Sequence, residues 1–145
     1  MILDSTYLMP LVKMEVSTDL LLAVAENKIK EDKLSFDLVT VNSVSLFELQ
    51  AKAAKLGIKT SLVIDAIEVI SKLFRIEPYN SPEIIEIVSS LMENFFTDYI
   101  DCVIIATAVA RREDLVTEDS KILRRRKDLM EKYDLEIFSY QDLTG

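Results

Sequence analysis

Thr97 to Asp119 reads TDYIDCVIIATAVARREDLVTED, and its pattern changes twice. Thr97 or Asp98 can cap a helix, because a short polar side chain there accepts a hydrogen bond from the otherwise unpaired first-turn N–H groups. From there an apolar, alanine-rich run predicts an amphipathic helix to about Arg112. Glu113-Asp114 make a short connection, Leu115-Val116-Thr117 read as a buried strand, and Glu118-Asp119 close with an acidic turn. A helix feeding a short apolar strand is the repeating unit of a parallel sheet, whose crossovers need a dozen or more residues.

The same unit recurs on either side. Upstream, Met1-Ile2-Leu3 predict a first central strand ended by Asp4, with Ser5 and Thr6 as turn or helix-start residues. Pro10 makes one helix from Ser5 to Lys30 unfavourable, since an interior proline costs about 3 kcal/mol. A short helix, a break and a second helix from about Ser17 are expected instead, with Leu21, Ala25 and Ile29 on its inner face. Leu38-Val39-Thr40-Val41 predict the second strand. Asn42 or Ser43 caps a helix over Val44–Leu56, which Gly57 ends. A helix from Thr60 to Phe74 follows, then a short strand around Ile76 stopped by Pro78. Ser81-Pro82 start the next helix, with proline at its favoured first position. Downstream of the opening stretch, Lys121 to Lys132 predict a basic helix containing Arg124-Arg125-Arg126-Lys127, and Leu135 to Phe138 a fifth strand before a short tail. The alternation implies an α/β fold: a three-layer α/β/α arrangement around a parallel sheet of about five strands, as one domain over residues 1–145.

Absences narrow the chemistry. The 145 residues contain no His, one Cys and two Gly. A Ser-His-Asp triad, a paired-His ribonuclease site and an ordinary zinc centre are therefore excluded, as is a glycine-rich phosphate loop. Cys102, in an apolar run and without a histidine to activate it, reads as a small buried hydrophobe. No apolar run approaches the roughly 20 residues that span a bilayer. The opening MILDSTYL lacks the basic and apolar regions of a signal peptide, so a cytoplasmic protein is expected. With 17 basic and 25 acidic residues the net charge is −8, which argues against nonspecific adhesion to nucleic acid through the whole surface.

The remaining candidates are acids. In an open parallel sheet, ligands gather outside the carboxyl ends of the strands where strand order reverses. Asp4 ends the first strand, Asp119 lies just past the fourth, and Glu48 and Asp101 sit early in helices that can face the same edge. Asp98 is a rival to Asp101, and Lys52 is an available helical partner for Glu48 four residues on. Such a cluster repels itself and calls for a cation or a shared proton. Oxygen donors without histidine suit Mg²⁺ or Mn²⁺, which activate water for attack on a phosphodiester. Ser5 and Thr117 are hydroxyls placed to orient the acids. A phosphotransfer domain fits poorly, because Asp4-Ser5-Thr6 supplies neither paired acids nor Asp-x-Asp.

The ordered set Ile2-Leu3-Asp4-Ser5, Ser43-Val44-Ser45-Leu46-Phe47-Glu48-Leu49, Asp101-Cys102-Val103-Ile104-Ile105-Ala106-Thr107-Ala108 and Thr117-Glu118-Asp119 resembles the PIN-domain family, which includes the VapC-like ribonuclease toxins. The resemblance implies a metal-dependent endoribonuclease acting on single-stranded RNA, frequent homodimers and, for a toxin, a protein antitoxin as partner. It implies Asp4, Glu48, Asp101 and Asp119 as the catalytic acids, with Asp4, Asp101 and Asp119 holding Mg²⁺ or Mn²⁺ and Ser5, Thr117 and Asp98 in support. Arg124, Arg125, Arg126 and Lys127 are the candidate RNA contacts. The acidic surface leaves a second reading open, a PIN-fold binding or assembly module with little turnover.

Overall fold

The computed structural model describes residues 1–145. Five short parallel strands form one sheet: β1 (Ile2–Leu3), β2 (Thr40–Asn42), β3 (Arg75–Glu77), β4 (Leu115–Val116) and β5 (Ile137–Phe138), in the order β3-β2-β1-β4-β5. Ile2 is level with Thr40 on one side and Leu115 on the other, and Leu115 is level with Ile137. The chain builds outward from β1 through β2 to β3, then returns to the other side of β1 for β4. The strand order therefore reverses between β1 and β4.

Each strand sends alternate side chains to opposite faces. Ile2, Leu115 and Ile137 enter one core with α4 (Pro82–Asn94) and α5 (Tyr99–Arg111). Leu3, Val41 and Val116 enter the other, with the 3-10 segment Ser5–Val12, α1 (Leu20–Ala25), α2 (Ser43–Lys55) and α3 (Thr60–Leu73). The expected three-layer α/β/α fold is what forms. Helix α5 is less amphipathic than expected: Cys102 to Ala108 are all buried, because the sheet covers one side and α4 the other. Such a helix is apolar nearly all round. Its one buried hydroxyl, Thr107, donates to the carbonyl of Val103 and accepts from the Asn42 side-chain amide at 2.8 Å. No helix is long and apolar enough to cross a membrane.

Several expected elements change. The helix expected from Ser17 shrinks to α1, because Asn27, Glu31 and Asp32 take left-handed backbone conformations that no α-helix accommodates. Leu38 falls in a 3-10 turn (Phe36–Leu38) and is exposed, so the second strand starts at Thr40. The basic helix breaks into α6 (Ser120–Leu123) and α7 (Arg126–Tyr133), since Arg125 sits at φ −100°, ψ 10°. The tail after β5 is α8 (Tyr140–Thr144), started by a reciprocal capping box between Ser139 and Asp142 and anchored by the buried Leu143.

Candidate acid site at the strand carboxyl edge

Asp4 leaves β1 with its backbone N–H bonded to the carbonyl of Val116, which continues the pairing with β4 by one residue. Only 8% of the residue is exposed. One carboxylate oxygen accepts from the Ser5 backbone N–H at 2.7 Å, and the other from the Thr117 hydroxyl at 2.7 Å. The Thr117 hydroxyl in turn accepts the backbone N–H of Asp119 at 3.0 Å. One hydroxyl thus ties the acid after β1 to the acid after β4, across the point where strand order reverses.

Asp119 caps α6, its Oδ1 accepting from the N–H groups of Lys121 and Ile122. Asp98 caps α5 in the same way, accepting from the Asp101 N–H at 3.0 Å. Asp101 and Glu48 are half-buried in the first turn of α5 and the second turn of α2. Burial is the main cause that raises Asp4, Glu48 and Asp101 above the ordinary carboxylate range. For Asp4 the hydrogen bonds from Thr117 and Ser5 partly offset it, while the charge of Asp119 adds to it. Ser5 also favours the charged form of Glu48, against the charges of Asp4 and Asp98. Asp101 is pushed up to about 7 by burial and then by Asp98, Asp119, Asp4 and Glu48. These acids therefore share one electrostatic neighbourhood.

No cation is spent on them. None of the five enters an ion pair, and Glu48 does not pair with Lys52, the alternative its helical spacing offered, although Lys52 helps hold Glu48 charged. No three of the carboxylates close around one point, so the group is an open acid rim rather than a finished cage. Its donor set, oxygen only and strongly anionic, matches what a hard divalent cation takes.

The basic run divides. Arg124 and Arg125 line a concavity of about 380 Å³ together with Asp98, Asp101, Lys121 and the Phe95–Thr97 connection. Arg126 turns away to pair with Asp142 at 2.8 Å, and Lys127 is exposed on α7. Arg111 is held by Glu77 and Glu113 at the far end of α5 from Asp101. Lys121 joins the acids although its residue type drew no attention in the sequence; its spacing of three from Arg124 within the expected basic helix was the available signal. Tyr7 was also missed: its hydroxyl is fully buried without a hydrogen-bond partner and is held protonated by burial and by the charges of Glu118 and Asp4. Burial likewise lifts the Cys102 thiol to about 11, as an inert packing residue requires.

Among solved structures, the chain is similar to FitAcB from Neisseria gonorrhoeae, with 18% identity over 97% of this chain and 97% of that one and a TM-score of 0.64. It is also similar to VapBC2 from Rickettsia felis bound to a DNA fragment from their promoter, with 17% identity, 95% and 96% coverage and a TM-score of 0.64. A toxin–antitoxin complex from Klebsiella pneumoniae aligns at 19% identity over 83% of this chain and 87% of that one, with a TM-score of 0.60. At these identities the likeness is one of fold. No curated protein matches the sequence. The profile of the PIN domain matches residues 1–128, nearly the whole span that carries the sheet and the acid rim, and the chain belongs to the PIN-domain family.

Proposed function

We propose that the chain is a metal-dependent endoribonuclease that hydrolyses phosphodiester bonds of single-stranded RNA, acting as the toxin of a toxin–antitoxin pair. The observation that carries this reading is the rim itself: Asp4, Glu48, Asp101 and Asp119, together with Asp98, couple electrostatically at the carboxyl edge of β1 and β4 with no protein cation paired to any of them. Asp4, Asp101 and Asp119 would hold Mg²⁺ or Mn²⁺. A bound ion of this kind supplies water activation at neutral pH and neutralises charge developing on the phosphoryl group.

The protein's own part is to aim the acids. Thr117 and Ser5 fix both oxygens of Asp4, so that its charge is oriented before any ligand arrives. Asp119 spends one oxygen on the α6 cap and keeps the other for the rim. Glu48, raised but still influenced by Lys52 and Ser5, is placed to accept a proton from an attacking water. Asp98 supports by capping the helix that carries Asp101. Lys121, Arg124 and Arg125 bring positive charge to the concavity beside Asp98 and Asp101.

The proposed partner is a protein antitoxin, a reading supported by the toxin–antitoxin complex that shares the fold. A homodimer would cover the apolar side chains that α3 leaves exposed, Ile64, Val69 and Leu73. The test is cleavage of a panel of single-stranded RNAs with Mn²⁺ by the wild type and Asp4→Asn. Loss of cleavage in the variant is expected, and equal residual activity in the two removes the mechanism. The overall charge of −8 favours a second reading, a PIN-fold binding module with little turnover. That reading predicts divalent-ion binding with no RNA cut by either protein.

A further inference from the structure

Seven ion pairs are present, and two of the three cations that line the concavity beside Asp98 and Asp101 are in none of them. Lys121 is exposed on α6 and makes no side-chain hydrogen bond or ion pair. Arg124 uses Nε on the Ser120 carbonyl at 3.0 Å and Nη2 on the Ser120 hydroxyl, and has no acid partner. Both share the concavity of about 380 Å³ with Asp98 and Asp101, yet neither pairs with those carboxylates. The third base there is already committed: Arg125 is paired with Asp128 at 3.0 Å and lies over the Phe95 ring, 5.7 Å from its centroid. Arg125 and Phe95 form a wall, and Lys121 and Arg124 are the free charge.

We infer that Lys121 and Arg124 form a subsite for one backbone phosphate of the RNA strand, flanking the phosphate that is cut at the rim. The inference rests on the proposed ribonuclease reading and adds to it the place where the neighbouring nucleotide is held. A compact ammonium in the first turn of α6 and a forked guanidinium at the residue that ends it, three positions on, offer several N–H donors to a single anion. On a chain of net charge −8, unpaired cations at the mouth of an acid rim are where a polyanion can first be gripped.

The test is fluorescence-anisotropy binding of a labelled single-stranded RNA in Mg²⁺, with Asp4→Asn as the common background so that the strand stays intact. Affinity is measured across a series of monovalent salt concentrations. Relative to that background, Lys121→Gln with Arg124→Gln should weaken binding about tenfold and flatten the log–log salt dependence by about 0.7 per cation removed. Lys121→Gln alone, which disturbs no hydrogen bond, should give about half of the change in slope. Lys72→Gln, exposed in the last turn of α3 just before β3, should move neither quantity. Unchanged affinity and slope in the double variant, with the background protein binding normally, overturn the subsite and leave the ribonuclease reading standing. A wild type that neither binds nor cuts RNA removes both.

Discussion

At Asp101 the balance between the folded and unfolded chain has a definite sign. Its carboxyl stands at about 7 in the folded protein against an ordinary value of 3.8, so between those values the native state holds a proton that the unfolded chain has released. Stability contributed by this group therefore falls as pH rises through that interval. Asp4 and Glu48 are raised too and act in the same direction. Without divalent ions the thermal midpoint should drop from about pH 5 to about pH 8, and Asp101→Asn should flatten that drop; scanning calorimetry across the range measures it. A second prediction concerns Thr117, whose hydroxyl donates to Asp4. Thr117→Val should weaken divalent-ion binding about tenfold, read by titration calorimetry, and an unchanged affinity would show that Asp4 needs no such orientation. As candidates, Asp4, Asp101 and Asp119 stood out in the sequence because each follows a strand or opens a helix. Glu48, in the second turn of α2, stood out because it sits among Leu46, Phe47 and Leu49. Tyr7 did not, since nothing in Ser5-Thr6-Tyr7 signals that a hydroxyl will be buried without a partner.

The elements whose ends carry strong chemistry came out nearly as expected. Asn42 caps α2, Ser81 caps α4 ahead of Pro82, and Asp98 caps α5, each through the side-chain hydrogen bond that its type suggests. Gly57, at φ +66° with open space around a would-be Cβ, ends α2. There Gly57→Ala should destabilise the protein by about 1 kcal/mol through backbone conformation alone, measurable by urea unfolding with an unchanged m-value. Elsewhere a sound cap did not fix how far the element runs. Lys121 to Lys132 shows a charge pattern that one helix would satisfy equally well, and only the backbone at Arg125, φ −100° and ψ 10°, divides it in two. The capping box at Ser139 and Asp142 was present in the sequence, but five residues are too few for periodicity to declare a helix.

For the whole molecule, long crossovers dictated a parallel sheet and the acids pointed to its carboxyl edge, while the length of each strand was set by pairing that sequence does not display. On the proposed function, Mg²⁺ or Mn²⁺ bound at that edge should stabilise the folded state by mass action, about 2.7 kcal/mol at a hundredfold excess over Kd. A thermal-shift titration should show this for the wild type and much less for Asp101→Asn. The position of β4 has a temporal consequence. It fills the place beside β1, and the bond from Thr117 to Asp4 joins residues 113 apart in the chain. On a ribosome, Asp4 would emerge 113 residues ahead of Thr117, its partner across the strand reversal. In the proposed ribonuclease the rim would therefore stay unassembled, and the transcript being read uncut, while those intervening residues were made.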